Sequence, residues 1–444
     1  MLQPFEFRGL LRRHGGVSLL MAVSPILLLV ATGLAQAAPK GRPVERPVLF
    51  QEAVPIPPDA ANTTGGLYSF DISWVDQTTQ TYYLADRSNI AIDVVDAKAD
   101  VFVSQISATP PFAGVSPMGA EFSGPNGVLT ANGCIIATDA NSRVVSFTAA
   151  GAQISDVSTG ATDGSRADEL AFDPRDSLLL VINPETAPTP SPFGTLIKVG
   201  AGCVLTVGAH IPFPTATGGA EQPVWDPGTQ RFFVTIPNIN GSTNTGALFQ
   251  INPLTATIEA MYAVNSCGPT GLALNPTNHS LFVHCGAVFD DMGNPWDSTG
   301  ANTAAPVDQI FGTDGLLQAI IPGTGVGDEA WYNAGDDHFY AADSGSPLAP
   351  HNVTSTTAPY QGAAVLGVID GTSQRLDQLV PTFNVPAVTG TGAHPAGTAH
   401  SVAANQNNNQ VFVPLAGNNA YPGCLTGCVA IYTRSDIDLS GDID

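Results

Sequence analysis

Charge is what this sequence has least of. Only 12% of its 444 residues are Asp, Glu, Lys or Arg, against about 25% in ordinary soluble domains. Cations are the scarcer sign: Lys and Arg number 15 against 38 Asp and Glu, a net charge of −23. Nothing here could neutralise a run of phosphates, which excludes nucleic acid as a partner. The same balance excludes adhesion to anionic lipid. Beyond the first 37 residues there is no apolar run long enough to span a bilayer. Three chemical signatures are missing as well: the Gly-x-Ser-x-Gly nucleophile elbow, the Gly-x-x-x-x-Gly-Lys phosphate loop and the Cys-x-x-Cys-His haem attachment signal. An α/β-hydrolase serine is therefore not supported.

What is abundant is turn-forming residues and short apolar runs. Gly (46) and Pro (36) punctuate a chain that is 43% hydrophobic. That fraction is too apolar for disorder and enough for a sizeable core. With many Val, Thr and Ser, short strands are expected rather than long helices.

The N-terminus reads as an address. Arg8, Arg12 and Arg13 precede an apolar run from Val17 to Leu34, broken by Pro25, and Ala35-Gln36-Ala37 follows. This order of charged, apolar and small residues is that of a secretory signal, expected to span 1–37 with a linker at 38–45. Its removal takes away three Arg and Glu6, which leaves −25. The mature protein is expected to be secreted or periplasmic, free of the membrane and monomeric. In an oxidising compartment, six cysteines favour disulfides. Cys267–Cys285 and Cys424–Cys428 are the local pairs, leaving Cys134–Cys203. The Cys424/Cys428 spacing fits a small loop-closing bridge better than half a zinc site.

A repeat runs through the rest. Seven units start at Asp71, Asn126, Glu169, Gln222, Thr270, Glu329 and His400. Each has a polar start, a short apolar strand, a turn such as DPRD, DPGTQ or NPTN, and a second, nearly continuous apolar strand. The turns suit tight hairpins. The second strands read as buried on both faces. A third strand often follows, as at 90–96, 195–199 and 364–370. Radially repeated small sheets of this length predict an all-β fold, a β-propeller. Seven blades are expected, with six as the alternative. A strand from Arg46 to Pro57 would close the ring, giving one domain over 46–435 and an acidic tail at 436–444. Excess length is assigned to loops at 286–325 and 344–395.

The motifs Gly124-Pro-Asn126-Gly, Glu169-Leu-Ala-Phe-Asp-Pro and Gly268-Pro-Thr270-Gly-Leu-Ala-Leu-Asn-Pro resemble NHL and YVTN-type propeller repeats. They also resemble the gluconolactonase-like and paraoxonase-like propellers. The gluconolactonase-like resemblance implies one divalent metal in the channel, held by side chains at the starts of inner strands. The matching positions give Asp71, Asn126, Glu169 and Glu329 as metal ligands. Oxygen ligands of this kind suit calcium. His400 then reads as general base, with Glu169 and Glu329 sharing the catalytic role. Asp168-Glu169 and Asp328-Glu329 form two acidic pairs, which would bind a cation or share a proton.

Gln222, Thr270, Trp296 and Tyr332 are the candidate contacts to a small-molecule or carbohydrate ligand. Trp296 sits in a loop, whereas Trp74, Trp225 and Trp331 fall in first strands and suit packing between blades. His284 reads as packed, and His351 and His394 as solvated. Asp436 to Asp444 resembles the first half of an EF-hand-type calcium loop. Sequons stand at Asn62, Asn240, Asn278 and Asn352. The function expected first is metal-assisted hydrolysis of a lactone or ester. The alternatives are a non-catalytic platform binding through its long loops, and a polysaccharide lyase using His400 and Tyr332.

Overall fold

The repeat's turns explain the local structure. In the computed structural model six of the seven inner strands end in an Asp or Asn that caps the turn after it. Asp76 Oδ1 accepts the backbone N–H groups of Thr78 and Thr79 at 2.8 and 2.9 Å. Asp226 serves Gly228 and Thr229 in the same way, at 2.8 and 3.0 Å. Such side chains mimic a backbone turn and fix the reversal. The chain then passes through a left-handed residue before the second strand, for instance Gln80 (φ 53°), Gln230 (φ 58°) and Asn409 (φ 59°).

The structure describes residues 46–161, 164–184, 191–290, 292–296, 304, 306–346 and 363–434. The expected signal, linker and C-terminal tail lie outside these, as do His351 and the sequon at Asn352. The described residues hold 28 strands and two short 3₁₀ turns. The strands group into seven antiparallel sets of four. The inner strands are Ser73–Asp76, Val128–Ala131, Leu170–Asp173, Pro223–Asp226, Cys267–Asn275, Val326–Asn333 and Ala403–Asn405. We number the sets one to seven in that order. Each inner strand packs against the next, and that of set seven packs against that of set one, which closes a ring. Sets four and five are also joined through a single parallel pair, Thr245 with Cys267.

Closure uses the two ends of the chain. Val48–Pro55 pairs antiparallel with Cys428–Arg434 and supplies the outer strand of set seven. Second strands are buried on both faces, as in Cys134–Asp139 and Gln410–Leu415. Outer strands alternate, as in Gln153–Ser158. Apolar clusters fill the spaces between sets; one joins Leu180 and Ile182 of set three to Phe232 and Val234 of set four. The expected loops are partly structured. Segment 286–325 contains two strands of set five, Val307–Gly312 and Leu317–Pro322, and 344–395 contains Ala363–Asp370 and Arg375–Pro381 of set six. The third strand expected at 364–370 is Ala363–Asp370; the other three lie far in sequence from their hairpins, so the short period of the repeat did not reach them.

The three cysteine pairs are Cys134–Cys203, Cys267–Cys285 and Cys424–Cys428. The first closes a separation of 69 residues and the last only 4. Loop-closure entropy then orders their contributions: about 4 kcal/mol for the first and about 2 kcal/mol for the last. Replacing Cys134 and Cys203 together by Ala is expected to cost about twice as much stability as replacing Cys424 and Cys428. Guanidinium unfolding of the two double variants measures it, and equal losses would reject the loop-closure account.

Candidate functional site

The inner strands begin at one end of the ring's axis, and their starts bring polar side chains together. They line a cavity of about 460 Å³ that includes Asp71, Asp168, Glu169, Glu221, Asp328 and Glu329. Arg87, Arg166 and His400 are the cationic or basic groups in the same wall. Six carboxylates thus face two guanidiniums and one imidazole. Trp74 of set one and Trp331 of set six meet edge to face with ring centroids 5.1 Å apart. Set seven lies between those two sets on the ring, so the contact bridges non-neighbouring inner strands.

The cations are unevenly shared. Asp71 takes a charged bond from Arg87, has Arg166 at 3.7 Å and His400 Nε2 at 3.3 Å. Burial alone would raise its pKa; Arg87, the His400 hydrogen bond and Arg166 outweigh it and hold the carboxyl down at about 2. Asp168 bonds Arg166 at 2.7 Å, yet burial and the Asp71 charge push it up to about 7. Its Oδ1 has no hydrogen-bond partner. Glu169, Glu221 and Glu329 are pushed well above the usual carboxylate range, by burial first and then by one another's charges and that of Asp328. Asp328 is raised by burial too, though the His400 charge works against it. Oxygens of Glu169, Glu221 and Asp328 lie within 4.8 Å of one another.

The expected residues separate into those the cavity gathers and those it does not. Asp71, Glu169, Thr270, Glu329 and His400 are in its wall. Asn126 is fully buried behind it. Its Oδ1 accepts from Arg87 at 2.7 and 3.0 Å and its Nδ2 donates to the Ala167 carbonyl, so no lone pair is left facing an ion. Asp71 is likewise taken up by its cations. The fourth expected ligand, Glu329, accepts from the Ser401 hydroxyl at 3.0 Å through Oε2, and its Oε1 has no hydrogen-bond partner among the described residues. The oxygens gathered within 4.8 Å of one another are those of Glu169, Glu221 and Asp328, and only Glu169 is common to the expected set.

His400 stacks on Phe70 with ring centroids 5.3 Å apart. Its Nδ1 lies 2.8 Å from the Thr398 carbonyl and its Nε2 3.3 Å from Asp71. With an acceptor at each nitrogen the ring is set to carry a proton. Burial opposes this, but Asp71 and Asp328 raise its pKa. A general base needs a free lone pair, which this placement does not give it.

Gln222 lies outside the cavity wall. It accepts from the backbone N–H of Leu272 and Ala330, at 2.7 and 3.2 Å, and donates to the Ala330 carbonyl, stapling sets four, five and six. Thr270 donates to the Gly327 carbonyl at 3.0 Å. Trp296 packs at the edge of the set-five core, its N–H on the Val288 carbonyl at 2.7 Å. Tyr332 lies near the opposite end of its strand, bonded to Asp337 at 2.9 Å and against Phe339. It does not meet His400, so the pair required of a lyase is not assembled.

Five cavity groups, Arg87, Arg166, Asp168, Glu221 and Asp328, were not among the expected site residues. The arginines had a readable signal: cations are so few that one directly after a buried strand, as Arg87 is, stands out. Asp168 and Asp328 stood out only as halves of acidic pairs.

Comparison with solved structures places the architecture. Over 86% of this chain and 98% of the other, a Kuenenia stuttgartiensis hydrazine synthase chain superposes with a TM-score of 0.59 at 10% identity. The Dos1 propeller superposes over 87% of this chain and 95% of its own, with a TM-score of 0.53 at 11% identity. The chain is a β-propeller. At such identities the likeness is one of fold alone. No protein-family model matches the sequence, and no curated protein matches it.

The carboxylates fix the sign of the pH dependence. Asp168 is raised from 3.8 to about 7, so the folded state holds its proton more tightly. Its contribution to stability is complete below about pH 4 and lost as pH rises through 7. Glu169, Glu221, Glu329 and His400 are shifted in the same direction. Asp71, lowered to about 2, acts oppositely; its contribution is complete above its usual 3.8 and fails only as pH falls through 2. In chelator, the protein is expected to melt at a higher temperature at pH 5 than at pH 8, with Asp168→Asn narrowing the gap. Calorimetry at the two pH values checks this, and a higher Tm at pH 8 would contradict the assignment.

Proposed function

We propose that this chain is an exported, monomeric, seven-bladed propeller hydrolase that opens an ester or lactone of a small-molecule or carbohydrate ligand at the channel mouth. The observation that carries the reading is the unneutralised cluster of Glu169, Glu221 and Asp328, whose oxygens lie within 4.8 Å of one another in a cavity wall. Carboxylates crowded this closely are driven to take up a proton or a cation. Their all-oxygen character suits Ca²⁺, a hard cation. Bound there, such an ion would supply positive charge that polarises a carbonyl.

The remaining roles fall to the chain's own groups. Asp168, with a pKa of about 7, is matched to proton transfer near neutral pH. It takes the proton of the attacking water and returns it to the leaving alkoxide. Arg166 bonds Asp168 at 2.7 Å and orients it. Arg87 and Arg166 also set a positive field against the negative charge that develops on the carbonyl oxygen. His400, clamped between Thr398 and Asp71, adds to that field as a cation. The gluconolactonase-like resemblance agrees with this class of reaction, although the ligand set differs from the one it implies.

Glu169→Gln, Glu221→Gln and Asp328→Asn are each expected to weaken Ca²⁺ binding at least about tenfold and to abolish lactone or ester turnover. Asp168→Asn is expected to keep Ca²⁺ binding and lose about 10²–10⁴ in kcat, along with the limb of the pH profile near 7. Calorimetric titration and a panel of lactones and aryl esters measure both. Turnover unchanged by chelator and by all three ligand variants would overturn the reading.

A further inference from the structure

A second cluster sits outside the channel mouth, in the wall between sets five and six. His284 lies on strand Ser280–Val288, Asp308 on Val307–Gly312 and Asp343 on His338–Ser346. All three side chains are fully buried, and each can bring one ligand atom within 4.8 Å of the others. His284 Nδ1 is 2.9 Å from Asp308 Oδ1, which also accepts the Cys285 N–H at 2.9 Å. A carboxylate at Nδ1 orients the ring and turns Nε2 toward Asp343, the arrangement that positions metal-ligating histidines.

Nε2 faces the Asp343 carboxylate across 3.7 Å. Among the described residues, His284 Nε2, both oxygens of Asp343 and Asp308 Oδ2 are buried without a hydrogen-bond partner. Leaving one such atom unpaired costs about 1–3 kcal/mol, so four in one place call for an occupant. Glycines keep the space clear. A Cβ at Gly327 would stand 2.5 Å from His284 Nε2, at Gly325 2.9 Å from Asp343 Oδ1, and at Gly367 3.1 Å from Asp343 Oδ2.

The spacing selects the occupant. His284 Nε2 and Asp343 Oδ1 are 3.7 Å apart. A direct hydrogen bond would bring them to about 2.9 Å. A bridging water with two ordinary hydrogen bonds would hold them near about 4.5 Å. Two ligands on one ion at about 2.1 Å each stand between about 3.4 Å for a tetrahedral angle and about 4.2 Å at full extension. One imidazole nitrogen with the two oxygens of one carboxylate is a mixed donor set that suits zinc rather than calcium.

We infer that His284 and Asp343, with Asp308 behind the histidine, form a buried binding site for a transition-metal dication of the zinc class. The site pins set five to set six beneath the cavity wall. It is independent of the channel-mouth reading, since it shares no ligand with Glu169, Glu221 or Asp328.

The test uses the full mature protein stripped with a strong chelator and titrated with Co²⁺ as a visible zinc surrogate, then with Zn²⁺. One tight equivalent is expected, with a cobalt absorption band that Zn²⁺ displaces and a rise of several degrees in Tm. His284→Gln and Asp343→Asn, checked for folding by circular dichroism, are expected to lose the band and the rise. Glu169→Gln is expected to keep both, so failure of the channel reading leaves this result intact. Should both cluster variants fail to fold, paramagnetically shifted histidine ring protons in the cobalt-loaded wild type decide the matter. No tight cobalt equivalent in the wild type, its survival in either folded variant, or the absence of shifted ring protons would overturn the inference.

Discussion

Everything at the channel mouth depends on the pairing of Val48–Pro55 with Cys428–Arg434. Small four-stranded sheets leave edges open, and a ring of them is stable only when the last meets the first. Here the closing sheet takes one strand from the start of the described chain and three from its end. Once closed, the ring fixes seven inner strands about one axis. Their polar starts are then held together whatever their charges. The chain has no freedom to separate Glu169, Glu221 and Asp328 without opening the ring.

That constraint accounts for the electrostatics. In water, six carboxylates would keep apart or be screened. Held in one wall, they compete for Arg87, Arg166 and His400, and the competition is settled by geometry. Asp71 takes most of the cations and falls to about 2, whereas Asp168, bonded to Arg166 alone, rises to about 7. Glu169, Glu221 and Glu329 rise further for want of a guanidinium of their own. One strand end therefore offers a fixed anion, a group that titrates near neutrality and a site short of positive charge. Distinct chemical roles arise from identical functional groups because the ring places their counter-ions unequally.

The fold was legible in the sequence because its signals are local. The capped turns, the apolar second strands and the recurrence of the unit all lie within about fifteen residues. The set-five strands that follow a long insertion were not legible as partners, since nothing in a short window links Ser280 to Gly312. The site was legible in location and blurred by one residue in identity. On a strand, neighbouring side chains face opposite ways. Reading the unit start as Gln222 rather than Glu221 exchanges a cavity carboxylate for a backbone staple. Asp328 and Glu329, by contrast, both line the wall, and Asp328 was read only as half of an acidic pair. Asn126 was placed correctly along the chain, but its carbonyl oxygen is committed to Arg87, a partner 39 residues away.

The two carboxylate clusters illustrate different ways of tolerating buried charge. At the channel mouth the groups remain within reach of solvent, so protons can relieve the crowding as pH changes. Between sets five and six, His284, Asp308 and Asp343 have no such access. Apolar side chains of similar size would pack there without leaving four polar atoms unpaired, and removing polarity from both partners is often neutral or favourable. Retaining polar groups, with glycines keeping their inner faces clear, makes sense only if something polar occupies the space. A direct hydrogen bond would draw the ring and the carboxylate to about 2.9 Å. The 3.7 Å between His284 Nε2 and Asp343 Oδ1 matches the separation of two ligands around the proposed ion.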